Sequence, residues 1–184
     1  MENSTTSKTT WIMDAAKKGL ILGAIHILVM LILYAFLPSK LTGFSYVFFI
    51  LILNFGYAIY SGIQWRNEIG GYLGFGEAFK YVFVLLFANG ILGMIFSIIF
   101  ILVDPGYPEV MAESQMNTSL YWAQKFGAPD ETIEQMKEQF DPEEMAKQFS
   151  LSAMPKGLGV AVILYAIGAL IMAIFVRKNQ PEMI

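Results

Sequence analysis

Few side chains in this sequence are suited to chemistry, and their spacing limits what that chemistry could be. The only histidine is His26, and Asn54, Asn89 and Tyr165 stand, like it, near the middle of long apolar runs. An imidazole, two carboxamides and a phenol can pass a proton, line a path for a solute, or hydrogen-bond to one another. They do not assemble a hydrolase or a metal centre. His26 has no carboxylate, serine pair or second metal ligand beside it in the sequence. Glu131, Glu134 and Glu138 fall on one helical face, but the alternating acids and turn glycine of a calcium loop are missing. A solvated acidic face is the plainer reading, and calorimetry with calcium and magnesium would test for weak divalent binding. The glycines Gly70, Gly71, Gly74 and Gly76 match neither a Walker loop nor a dinucleotide fingerprint, and no strand precedes them. No residue is therefore assigned to catalysis, to a cofactor or to a metal.

The elements that must position these groups are plain. The 184 residues are 56% hydrophobic and 15% charged, with a mean hydropathy of +0.55. That composition implies a chain whose solvent is partly lipid. A net charge of −3 and a pI near 5.2 argue against a nucleic-acid partner, which needs a basic face. The absence of cysteine removes disulfides and thiolate chemistry. Four runs, Gly19–Leu37, Phe44–Ile63, Phe79–Val103 and Leu158–Val176, are long enough to cross a bilayer, which takes ~20 apolar residues. The first is longer than a secretory signal core, and the residues after it offer no small-residue cleavage site. It reads as a retained anchor. The expected fold is an all-α integral membrane protein with four transmembrane helices and an extracytoplasmic amphipathic helical insert between helices three and four. Its parts are a cytoplasmic tail (1–18), helices one to three (19–103) with a cytoplasmic glycine-rich turn (64–76), an acidic arch (104–155), helix four (156–177) and a cytoplasmic tail (178–184).

Orientation follows from the basic residues, which are retained on the cytoplasmic side near helix ends. Lys8, Lys17, Lys18, Arg66, Lys80, Arg177 and Lys178 would lie there if both termini are inside. The opposite side would carry Lys40 and the scattered lysines of the arch. Rises of about 1.5 Å per residue from alternating sides bring His26, Asn54, Asn89 and Tyr165 to within roughly one turn of a common level. This mid-membrane polar layer has three readings: hydrogen-bonded glue between helices, a proton or solute path through His26, or, least supported, catalysis. Gly19 and Gly23 form a G-x-x-x-G pair, and Ala169 and Ala173 a small-x-x-x-small pair. Either pair suits packing within the chain or in a dimer. No internal repeat is evident, which weakens the transporter reading.

The arch is acidic but patterned. "DPGYPEV" stops helix three and restarts helix near Pro108; Gly127 ends that helix; "APDET" begins another. In "DPEEM", Asp141 is the expected N-cap, Pro142 the first helical residue, and Glu144 is placed for a capping box. Val110, Met111, Leu120, Tyr121 and Phe126, then Ile133, Met136 and Phe140, then Met145 and Phe149 mark apolar edges. Trp122 and Tyr121 suit a water–lipid boundary.

In the turn, Trp65, Tyr72 and Phe75 are expected at headgroup level, Arg66 is placed to pair with Glu68, Glu77 or a lipid phosphate, and Glu77 complements the dipole of helix three. Arg66, Glu68, Gly70, Gly71, Tyr72, Phe75, Ala78, Phe79 and Lys80, after "YAIYSG" (57–62) and before "DPGY", resemble an uncharacterised bacterial multi-pass membrane family, domain of unknown function 4199. Gly74 departs from the pattern, which leads one to expect a serine or threonine cap there. The resemblance implies a layout over most of the chain and carries no activity. The reading that follows is a non-enzymatic structural or accessory protein of the bacterial cytoplasmic (inner) membrane, acting through its arch. A small transporter or channel component built on the polar layer is the alternative. Its partners are the lipid bilayer and either another membrane protein or further copies of itself.

Overall fold

The computed structural model describes residues 3–180, with side chains described from Thr10 onward. Its elements are α1 (Asn3–Phe36), α2 (Phe44–Glu68), α3 (Phe75–Val103), α4 (Tyr107–Lys125), α5 (Asp130–Glu138), α6 (Pro142–Ala146) and α7 (Met154–Val176). Short 3-10 turns occupy Pro38–Lys40, Lys147–Phe149 and Leu151–Ala153. Among the described residues, four helical segments are long and apolar enough to cross a membrane: Thr10–Phe36, Phe44–Glu68, Phe75–Val103 and Leu151–Val176. The ends of the two expected tails, residues 1–2 and 181–184, lie outside the described residues.

Helix ends depart from the apolar runs in one consistent way. Within the expected tail 1–18, the chain is helical from Asn3 on and continuous with the first apolar run. Ala15 is fully buried, Trp11 packs on the core, and Lys18 pairs with Asp14 one turn back, so the polar start of α1 has its own reasons to stay helical. Helix α2 continues past Ile63 to Glu68 and α3 starts at Phe75 rather than Phe79, which shortens the turn from 64–76 to 69–74. Likewise α7 starts at Met154. Apolar runs mark where lipid can be, whereas backbone hydrogen bonding continues until a cap or a glycine stops it.

The chain forms two compact units. The first contains the chain up to His26, Leu51–Gly93 and Leu158 onward. Its core holds Leu22 from α1, Ala58 from α2, Tyr81, Val82 and Leu85 from α3, and Ala169, Met172 and Val176 from α7. Small residues bring these helices close. A methyl group on Gly19 would run into the Leu85 carbonyl and stand 2.9 Å from Ala88 Cβ, and one on Gly23 would stand 3.3 Å from Asn89. The G-x-x-x-G pair is thus used inside the chain, against α3. Ala169 and Ala173 are fully buried in the same core. Gly56 and Gly93 have no such neighbour within 4 Å.

The second unit comprises Ile27–Ile50 and Met94–Gly157. Here α4 packs against the turn between α1 and α2: the Thr42 backbone N–H donates to Ser114 Oγ at 3.1 Å, and the Thr42 hydroxyl lies 3.0 Å from Ser114 Oγ and 3.3 Å from Thr118 Oγ1. One face of the arch helix therefore rests on protein, with Ala112, Ser114 and Met116 buried. Asp141 caps α6 as its sequence predicts, accepting from the Glu143 and Glu144 amides at 2.9 and 3.2 Å. Glu144 does not serve as the back-bonding half of a capping box there: its carboxylate pairs with Lys147 instead.

Candidate functional site

Three of the four residues expected in the polar layer meet directly. Asn89, buried on α3, donates from Nδ2 to Asn54 Oδ1 on α2 at 3.3 Å. The His26 side chain interacts with Asn89, while its Nε2 is buried and makes no hydrogen bond. Tyr165 of α7 stacks its ring against the α3 backbone one residue on, where a methyl group on Gly90 would stand 2.5 Å from the phenol oxygen. The four residues thus gather around Asn89 and Gly90. Their chemistry is that of neutral hydrogen bonds. An imidazole beside an amide has neither a carboxylate to raise its basicity nor a nucleophile to activate.

The glycine-rich turn is a tie between helices. Gly71 N–H donates to Arg66 O at 2.8 Å, and Gly70 and Gly71 have φ of +107° and +86°. This is the left-handed ending in which the second residue past the cap reaches back to the last turn, and a side chain at either glycine would be strained. Leu73 then exchanges both backbone hydrogen bonds with Lys178, each 2.9 Å, joining the turn to the chain leaving α7. Lys178 Nζ stands 5.5 Å above the Tyr72 ring. Arg66 donates from a guanidinium nitrogen to Val176 O at 2.8 Å, filling one of the open carbonyls at the end of α7. The sequence suggests a carboxylate or lipid partner for Arg66; the structure gives it a helix end. Val176 packs closely enough that a methyl on Gly62 would stand 2.8 Å from its side chain.

Glu77 accepts from the Gly74 N–H at 3.1 Å, so α3 is capped by a side chain from its own first turn although Gly74 has none to offer. Phe75, at the start of α3, and Tyr72 are partly exposed, as headgroup-level aromatics would be. Trp65 stacks on Tyr81, 6.0 Å between ring centres, and packs half-buried against the core. Glu68 and Lys80 are exposed.

Sequence reasoning missed one constellation. Tyr81, 1% exposed, donates to Asp14 Oδ2 at 2.5 Å, and Lys18 Nζ lies 3.1 Å from the same oxygen as an ion pair without the alignment of a hydrogen bond. Lys18 was legible as a flanking charge, and Asp14 four residues earlier was the available signal. In the second unit a like pair forms between the Tyr34 hydroxyl and Asp104, whose other oxygen accepts from Gly106 N–H at 3.1 Å. Tyr34, Phe100 and Tyr107 cluster around it with ring centres 5.0–5.8 Å apart.

On the arch, Asp130, Glu131, Glu134, Glu138, Asp141, Glu143 and Glu144 are all exposed. Lys137 lies 3.8 Å from Glu134. Among the described residues, no group of three or more histidines and carboxylates is close enough to hold a metal ion. Beside this face, Glu113, Met116, Asn117, Leu120, Lys137 and Phe140 line an open groove of ≈ 330 Å³.

No curated protein and no solved structure is significantly similar to this chain. One family profile matches residues 17–178, from Lys17 in α1 to the lysine that bridges to the turn. The matched segment contains every tie described above except the Asp14 carboxylate. The chain belongs to the family described as protein of unknown function (DUF4199).

Proposed function

We propose that the protein is a non-enzymatic structural or accessory component of a bacterial cytoplasmic membrane, acting through its acidic arch. Both termini are placed inside by the basic residues at the helix ends, which leaves the arch on the outer side. The carrying observation is the run of exposed carboxylates from Asp130 to Glu144, answered locally only by Lys137 and Lys147. Such a face complements a basic surface on a membrane-protein partner or on a domain beside it. Asn89 and Asn54, by contrast, are engaged with one another between α3 and α2. Crosslinking in intact cells, followed by purification of a tagged copy, tests this reading. A stoichiometric partner lost on Glu131→Lys, Glu134→Lys and Glu138→Lys together is the expected result. Unchanged complexes after deletion of 128–150 overturn it.

One observation favours a second reading. The buried, unbonded Nε2 of His26 is a group that a proton or solute path would use. Purified protein in liposomes would then dissipate a proton or solute gradient, and His26→Leu would abolish the flux in a stably folded chain. Liposomes that stay tight remove this reading.

A further inference from the structure

The apolar edge of α4 divides into two parts. Ala112, Ser114 and Met116 are buried against protein, but Tyr121 and Phe126 at its C-terminal end are 56% and 80% exposed. They are not isolated. Trp122 joins them, with ring centres 5.4 Å from Tyr121 and 5.4 Å from Phe126. On its other side Trp122 meets Phe44 edge-on at 5.3 Å, and Phe44 stacks on Phe48 at 5.7 Å. Phe44 is the first residue of a segment apolar enough to span a membrane, and Phe44, Val47, Phe48 and Leu51 are all about half exposed. A single aromatic strip therefore runs from the lipid-facing side of α2 onto α4 without a break.

We infer that Tyr121, Trp122 and Phe126 form a lipid-docking corner that seats α4 in the headgroup–acyl boundary of the leaflet at the Phe44 end of α2. Continuity with the face of α2 identifies lipid as the occupant, because the same strip that lipid must cover at Phe48 continues to Phe126. The residue types agree: tryptophan and tyrosine favour the boundary, where the ring is buried and the polar tip stays wet. Lys125 lies over this corner, 4.9 Å from the Trp122 ring and 5.7 Å from that of Tyr121. Its ammonium is held at the rim, within snorkelling reach of lipid phosphates. The other half of the arch is different in kind. α5 presents Glu131, Glu134 and Glu138 outward and buries Ile133, so it belongs in water.

The lack of cysteine makes the test direct, since any introduced cysteine is the sole labelling site. The full chain carrying Phe126→Cys or, separately, Tyr121→Cys is spin-labelled and reconstituted in vesicles of phosphatidylcholine and phosphatidylglycerol. Collision with oxygen, which concentrates in lipid, is compared with collision with a water-soluble nickel chelate. Phe48→Cys provides the lipid reference and Glu134→Cys the aqueous one. Both labels are expected to favour oxygen, at a depth shallower than position 48 and at least several-fold in accessibility ratio away from position 134. Labels that match position 134 overturn the inference. Labels shielded from both reagents also overturn it, since a protein surface or a second copy would then cover the corner. Both native side chains are largely exposed, so either label is carried without disturbing the core, and each position checks the other.

Discussion

The two units use the same polar residue types over different distances in the chain. In the first, the polar ties are long-range: Tyr81 to Asp14, Asn89 to Asn54, and Arg66 to Val176 connect positions 67, 35 and 110 residues apart. In the second, the α1–α2 turn and α4 are also tied from afar, but the polar ties of α5 and α6 are local, such as Glu144 with Lys147 and Asp141 with its own helix. Long-range bonds between packed helices are partly shielded from water and fix which helices are neighbours. Exposed pairs three residues apart compete with solvent and fix very little. The first unit therefore carries the specificity of the fold, and the arch carries a surface.

The largest expected effect tests the packing on which those long-range ties depend. Gly19→Ala forces a methyl group into the α3 backbone at Leu85, so α1 must move away, at a cost of ~2–3 kcal/mol. Gly56→Ala meets nothing within 4 Å and should be neutral or stabilise by up to ~1 kcal/mol through helix propensity. Reversible unfolding of both variants in mixed micelles, followed by circular dichroism, measures the difference. Equal stabilities would mean that α1 and α3 do not pack through this glycine.

A smaller effect separates buried from exposed polar ties. Tyr81→Phe leaves Asp14 with one partner fewer in a site that is mostly closed to water, and should cost ~1–3 kcal/mol. Lys137→Ala removes a 3.8 Å pair on the arch and should change stability by less than ~0.5 kcal/mol. Similar values for the two would erase the contrast between the units.

The sequence made some of this contrast visible and concealed the rest. The apolar runs gave the four long apolar helices, and residue counting brought His26, Asn54, Asn89 and Tyr165 near one another, because rise per residue is a property of one helix. Caps such as Asp141 were legible for the same reason. What stayed hidden depends on which helices touch. Nothing local says that Arg66 will find the end of α7, or that Trp65 will stack on Tyr81. Nor does Gly74 reveal that Glu77 will cap α3 from within. Lys18 reads as a membrane-flanking charge, and nothing near it in the sequence says that α3 will bring Tyr81 to Asp14.

The tie between Arg66 and α7 offers a graded test. Arg66→Gln removes the donor to Val176 O and should cost about 1 kcal/mol, seen first as local fraying. Amide exchange at Lys178, whose N–H is bonded to Leu73 O, should quicken several-fold while exchange at Leu85 stays slow. Uniform acceleration would show that the whole unit depends on this contact. The Asn54–Asn89 bond should count for less. A double-mutant cycle with alanine at both positions should give a coupling of ~0.6 kcal/mol, the usual size for such bonds between membrane helices.

One effect cannot be seen at neutral pH. Tyr107 lies outside the spanning segments, buried at the start of α4, and burial, helped by nearby Tyr46 and Tyr34, pushes its pKa up from 10.0 to about 12. A raised tyrosine pKa means that the native state prefers the neutral phenol. Below the unfolded value near 10 that preference is fully present and the group is protonated in both states. As pH rises from 10 towards 12, the unfolded chain ionises first, and stability falls until the native phenol also loses its proton. Tyr107→Phe has no proton to lose and should be spared this share of the alkaline decline. Difference unfolding curves between pH 9 and 12 (on the order of three units, set by the shift) isolate it from the other buried tyrosines, which both proteins share. Parallel curves would mean that the second unit holds Tyr107 less tightly than its ring contacts with Tyr34 and Phe100 imply, and that the docked part of α4 opens to water as freely as α5 and α6.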